Sequence, residues 1–147
     1  MLQMRTLTGI LFLLAASRQD LRERKVSVCL LAAAFFSALA FRGPAGWGAL
    51  PLMTDLAPGL FLILLSFLLR GELGSGDGAA VLVLGLYAGG FRALEAAAAG
   101  MVLLGLTGLF RILSGRSSGR ETLPFLPFLT AAHLVMILGR AFGGRLR

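Results

Sequence analysis

Six apolar runs follow one another through this chain with only brief polar connections between them, and this pattern restricts the fold more than any other feature. The runs cover approximately residues 2–17, 26–41, 50–69, 79–92, 94–113 and 122–139, joined by residues 18–25, 42–49, 70–78, 93 and 114–121. A helix needs about 20 residues, at about 1.5 Å each, to cross the hydrocarbon of a bilayer. The third and fifth runs have that length. The second and fourth are short, so their ends are expected at a thinned or protein-lined surface. Of 147 residues, 57% are hydrophobic and 14% charged, whereas a soluble domain carries about 25% charged residues. The excess apolar surface requires lipid. The expected fold is therefore an all-α integral membrane protein, a compact bundle of about six transmembrane helices forming a single domain over residues 1–147.

The net charge of +7 does not indicate a nucleic-acid partner, because the basic residues fall mostly between apolar runs without interleaved aromatics. Membrane topology explains them through the cytoplasmic bias of Lys and Arg. The single cysteine, Cys29, excludes an internal disulfide and is expected to be a buried thiol. No Cys/His cluster has metal-ligand spacing, and neither a metal nor a cofactor is expected. Residues 1–16 imitate a signal peptide, but the polar segment after them is rich in Arg, and they are expected to be a retained first span. Glycines within the runs (Gly85, Gly89, Gly90, Gly100, Gly105, Gly108) are expected to let helices approach closely. His133, inside the sixth run, is expected to make an interhelical hydrogen bond. Trp47 suits an interfacial anchor, and Arg92 and Glu95 are placed to pair across a turn.

Two acids stand out. Asp20 follows the first run, and Asp77 closes Gly74-Ser75-Gly76-Asp77 just before the fourth. Charges at the edge of hydrocarbon are costly, which marks them as functional candidates. Two crossings separate them, so both face the same side of the membrane whatever the orientation. Connections on that side carry Arg18, Arg22, Arg24, Lys25, Arg70, Arg111, Arg116 and Arg120, against Arg42 and Arg92 opposite. That imbalance puts the acids at the cytoplasmic face, although Arg5, Arg140, Arg145 and Arg147 fall on the other side. Two close carboxylates cannot both ionise, so one holds a proton while the other activates water, as amide hydrolysis requires. Gly74 and Gly76 would supply positive φ and let a substrate approach the backbone. Taken alone, the same tetrapeptide is also a tight turn leading into a helix.

Gly74-Ser75-Gly76-Asp77 resembles the Gly-x-Gly-Asp motif of intramembrane aspartyl proteases. Asp20-Leu21-Arg22-Glu23-Arg24-Lys25-Val26 is similar to the Asp-containing basic loop of the type IV prepilin peptidases. Pro124-Phe125-Leu126-Pro127-Phe128-Leu129 is similar to the proline-containing segment that opens their last helix. In order and spacing these elements match the short six-span form, which includes preflagellin peptidases. The resemblance implies an aspartic endopeptidase in the inner (cytoplasmic) membrane. It would remove the basic leader of prepilin-like membrane proteins after a glycine, with Asp20 and Asp77 as the catalytic pair. Glu23 and Glu72 would meet the leader's basic residues, or simply offset nearby arginines. Gly74, Gly76, Pro124 and Pro127 would border the substrate. The cysteine-rich segment of the long bacterial enzymes is missing, so no methyltransferase activity is expected.

Two departures accompany the match. Ala79 stands where the family commonly has Lys, and Val26-Ser27-Val28 where it often has Ile-Pro-Asn. They motivate an alternative, a non-catalytic membrane scaffold or binder for pilin-like proteins. A small proton-coupled transporter would use the same acids as a relay, but such sites usually lie at the bilayer midplane rather than at one face.

Overall fold

The computed structural model describes residues 2–42, 47–68, 74–115 and 123–143. These form six α-helices: α1 (Leu2–Glu23), α2 (Val28–Ala40), α3 (Ala49–Leu68), α4 (Ser75–Ala88), α5 (Gly90–Leu113) and α6 (Leu126–Gly143). No strand occurs among the described residues. The fold is the expected all-helical bundle, and α3 and α5 are each long and apolar enough to cross a membrane.

The short helix α4 stands at the centre. Its 14 residues reach only about 21 Å, less than the ~30 Å of hydrocarbon. Protein replaces lipid around it, for it packs against α1, α2, α3 and α5. Buried residues appear on every side of it, from Gly78 and Ala80 through Val83 and Leu84 to Tyr87. Glycine brings α3 close to both α4 and the start of α5. A methyl group at Gly59 would overlap the backbone of Leu82, one at Gly85 the Asp55 carbonyl, and one at Gly90 the Thr54 carbonyl. Gly105 meets nothing and Gly108 only Leu123, so these two do not serve the packing expected of them. The outer faces of α3 and α5 carry exposed Phe61, Leu64, Phe67, Leu106 and Phe110, an apolar surface that suits lipid and not water.

Several boundaries differ from the sequence expectation, each for a local reason. Helix α1 continues through the polar residues to Glu23, so Asp20 lies in a helix and not in a loop. It stops at Arg24, which takes the left-handed conformation (φ 51°) and returns its amide to the Asp20 carbonyl. The break between α4 and α5 falls at Gly89 (φ 95°) instead of residue 93, a conformation glycine adopts without strain. Helix α6 begins at Leu126 rather than 122. Cys29 is exposed, not buried, because α2 turns it away from the bundle. Glu95 pairs with Arg140 at 3.1 Å instead of with Arg92.

Tyr87 ties α2 to the centre, its hydroxyl donating to the Ala34 carbonyl at 3.0 Å while its ring stacks on Phe12 of α1. At the same end of the bundle the Arg42 guanidinium meets the Asp55 carboxylate at 2.9 Å, its side chain only 2% exposed. The second Asp55 oxygen accepts from the Gly90 N–H at 2.8 Å, so a carboxylate on α3 caps α5. Removing one member of a buried pair strands the other charge, which costs about 3–5 kcal/mol. Asp55→Ala is accordingly expected to destabilise the bundle by about that amount, read from its denaturant midpoint in micelles. Asp55→Asn, which keeps an acceptor for Gly90, is expected to lose less.

Candidate active site

The last turn of α1 lies against the first turn of α6, and polar groups at helical spacing join them. Asp20 and Ser17, each 7% exposed, sit three residues apart and so share a face. The Asp20 Oδ2 accepts from the Leu126 N–H at 3.1 Å, giving one of the unpaired amides that open a helix its acceptor. One turn deeper the Thr130 hydroxyl donates to the Leu126 carbonyl at 2.8 Å. The Ser17 hydroxyl then donates to Thr130 Oγ1 at 2.6 Å.

Pro124 and Pro127 make that junction possible. Pro127 occupies the first turn of α6, where its missing N–H leaves no bond unmade. Pro124 lies two residues ahead of the helix and ends any continuation from its N-terminal side. Both are half-buried. They fix where α6 begins, and hence which amide faces Asp20.

Asp77 comes from the opposite direction, as the third residue of α4. Gly74 is the N-cap, and its carbonyl accepts from the Asp77 N–H at 3.0 Å. The carboxylate folds back over this glycine. A Cβ at Gly74 would lie 2.8 Å from Asp77 Oδ2, closer than real Cβ contacts come. Gly74 therefore provides space for the acid, and its φ of −64° is open to any residue. Among the described residues positive φ at glycine occurs at Gly89 and Gly115, so the left-handed conformation expected at Gly74 and Gly76 is absent. A Cβ at Gly76 would have the Val26 side chain 4.0 Å away as its nearest neighbour. Gly78, unremarked in the sequence, is more confined: a Cβ there would stand 2.8 Å from Ile63 Cγ1.

Asp77 lies in the polar first turn of α4, at the membrane boundary and ahead of the apolar run that starts at Ala79. Burial, and after it the negative charge of Asp20, push its carboxyl up to about 6. The two acids, 57 residues apart in sequence, thus face one another closely enough for one charge to act on the other.

The remaining candidates are arranged more loosely. Glu23 ends α1 and is exposed at the same end of the bundle. Glu72 falls outside the described residues. Among the described residues no three His, Cys, Asp or Glu side chains converge as metal ligands do. The sequence reading missed Ser17, Thr130 and the Leu126 amide. The spacings of Ser17 to Asp20 and Leu126 to Thr130 were visible, but nothing in them says that the two faces meet.

A pair of carboxyls, Asp20 buried and Asp77 half-buried and readily protonated, at one end of a helical bundle suits acid–base chemistry on an amide. The comparisons with known proteins agree with a peptidase. The model of the type IV leader peptidase family matches residues 7–142. No curated protein and no solved structure gave a match. With the family model covering nearly all of its sequence, this chain belongs to the type IV leader peptidase family and is a membrane peptidase.

Proposed function

We propose that the protein is an aspartic endopeptidase that cleaves the basic leader from prepilin-like proteins, at the cytoplasmic face of the inner membrane. The observation that carries this reading is the juxtaposition of Asp20 with Asp77, whose carboxyl is raised to about 6 by burial and by the Asp20 charge. Asp20 as carboxylate takes a proton from water, and the oxygen of that water attacks the scissile carbonyl. Protonated Asp77 donates to the developing oxyanion; as the C–N bond breaks, Asp20 passes the proton it took from water to the leaving nitrogen and Asp77 recovers its own from the re-forming carboxyl group. The substrate's own apolar helix would lie in the bilayer, delivering the peptide bond to the boundary where the acids sit. Exposed Glu23, and Glu72, are suited to the leader's Lys and Arg. Arg22, Arg24, Lys25 and Arg111 at this end favour the cytoplasmic side. The whole of residues 1–147 would form one peptidase domain.

The bond from Leu126 to Asp20 favours a second reading, in which Asp20 is only a helix cap and the protein a scaffold for pilin-like partners. Asparagine distinguishes the two, because its amide oxygen still accepts from Leu126 while the charge is lost. Under the peptidase reading, Asp20→Asn and Asp77→Asn each slow cleavage of a pilin-like substrate about a hundredfold to ten-thousandfold, with unfolding midpoints near wild type. Wild-type protein that binds such substrates without cutting them would establish the scaffold instead.

The acid's raised titration fixes a pH profile. Asp77 is protonated below about 6 and loses its donor proton above it. The rate constant kcat/KM is expected to fall as pH rises through about 6, tending towards tenfold per pH unit. For stability the sign is the same. Between the unfolded value of 3.8 and about 6, ionisation favours the unfolded chain, so Asp77's contribution to folding weakens as pH rises through that window and is constant above it.

The motif glycines divide by the space around them. Gly74→Ala is expected to displace the Asp77 carboxylate and cut turnover at least tenfold, about 1.4 kcal/mol in the barrier. Gly76→Ala is expected to retain most activity, as a side-by-side assay of the two variants will determine.

A further inference from the structure

A cavity of about 460 Å³ opens at the end of the bundle away from Asp20 and Asp77. It lies between the start of α1, the end of α4, the start of α5 and the last turns of α6. Arg5, Arg92, Arg140 and His133 line it, together with the carboxylate residue Asp55. The carboxylates nearby are already engaged. Asp55 is held by Arg42 and by the Gly90 amide, and Glu95 pairs with Arg140. Among the described residues, no carboxylate lies within ion-pair distance of Arg5 or Arg92. The cavity is therefore a cationic recess in a membrane protein.

Two of its groups lack partners. The His133 side chain is more than nine-tenths buried, at 6% exposure, and its Nδ1 makes no hydrogen bond. Arg5 donates from Nη2 to the Leu86 carbonyl, near the C-terminal end of α4, yet its buried Nε is also unpaired. Leaving such groups unsatisfied is costly, a cost a suitable ligand removes. The charges of Arg92 and Arg140 act on His133, so these groups face a common space. From Arg140 to His133 the recess runs seven residues along α6, roughly 10 Å. Met136 and Ile137 provide an apolar wall. Trp47 lies at the same end and donates to the Arg42 carbonyl at 3.3 Å, as an aromatic at the headgroup level does.

We propose that this cavity is a binding site for a phosphate group, with Arg5, Arg92 and His133 as its donors. Planar guanidinium groups match the paired oxygens of phosphate, and basic pockets between membrane helices take phospholipid headgroups. The phosphate has two sources, an anionic phospholipid headgroup or a free ion.

His133 is the one histidine in the chain, so its imidazole nitrogen resonances report on the cavity directly. They would be recorded for ¹⁵N-histidine-labelled full-length protein, in nanodiscs of phosphatidylcholine doped with phosphatidylglycerol and in micelles titrated with inorganic phosphate. A saturable shift with phosphatidylglycerol identifies the lipid as the source, and one with inorganic phosphate alone identifies the free ion. Arg92→Gln, at an exposed position that tolerates change, is expected to weaken either response about tenfold. Arg5→Gln would disturb the end of α4 and is the less useful variant. No shift with either probe, or an unchanged affinity in folded Arg92→Gln, would overturn the proposal.

Discussion

The opening amides of a helix need acceptors, and where a helix starts inside a protein bundle within lipid, water supplies few of them. Two helices of this protein obtain theirs from carboxylates carried by other helices. Asp20 on α1 takes the first amide of α6, and Asp55 on α3 takes the first amide of α5. Each bond joins segments distant in sequence and fixes where a helix begins. The two lie at opposite ends of the bundle, one joining α1 to α6 and the other α3 to α5.

This arrangement gives the proposed peptidase chemistry a rigid base. Asp20 is oriented by the Leu126 amide, and the junction is braced a turn deeper by Ser17 and Thr130. Asp77 stands on the first turn of the most enclosed helix, with Gly74 leaving room for its carboxylate. Neither acid depends on a long loop for its position. The segment between α3 and α4 contains Glu72, which belongs to the proposed leader contacts and not to the acid pair.

The two ends differ in charge as well as in architecture. One carries the pair of acids proposed to act on a substrate with a basic leader. The other gathers arginines, of which Arg42 and Arg140 are held by carboxylates, around a recess containing the buried His133. That second cluster contains part of the basic excess on the side opposite the acids. Asp55, absent from the functional reading of the sequence, organises it: a lone acid within an apolar run reveals its partners only once α2, α3 and α5 are packed.

Much of the architecture was legible in the chain itself. The six apolar runs gave the six helices, because continuous apolar sequence in lipid has to satisfy its own amides. The even number of crossings put Asp20 and Asp77 at one end. The short second and fourth runs remained short, and α4 was accommodated by burial. Residue spacing did not reveal that Asp20 sits inside α1, since polar helix formers continue the helix past the apolar boundary until Arg24 turns left-handed. Nor did it distinguish Gly74, which makes room for a carboxylate, from Gly76, which has no close neighbour. The sequence alone determined the apolar, membrane-suited character of the chain, the number of helices and that the two acids share one end, all consequences of hydropathy and parity. Only the tertiary structure decided which charges meet, which amides they cap and which glycines are confined, because those depend on distances between segments that the chain order does not encode.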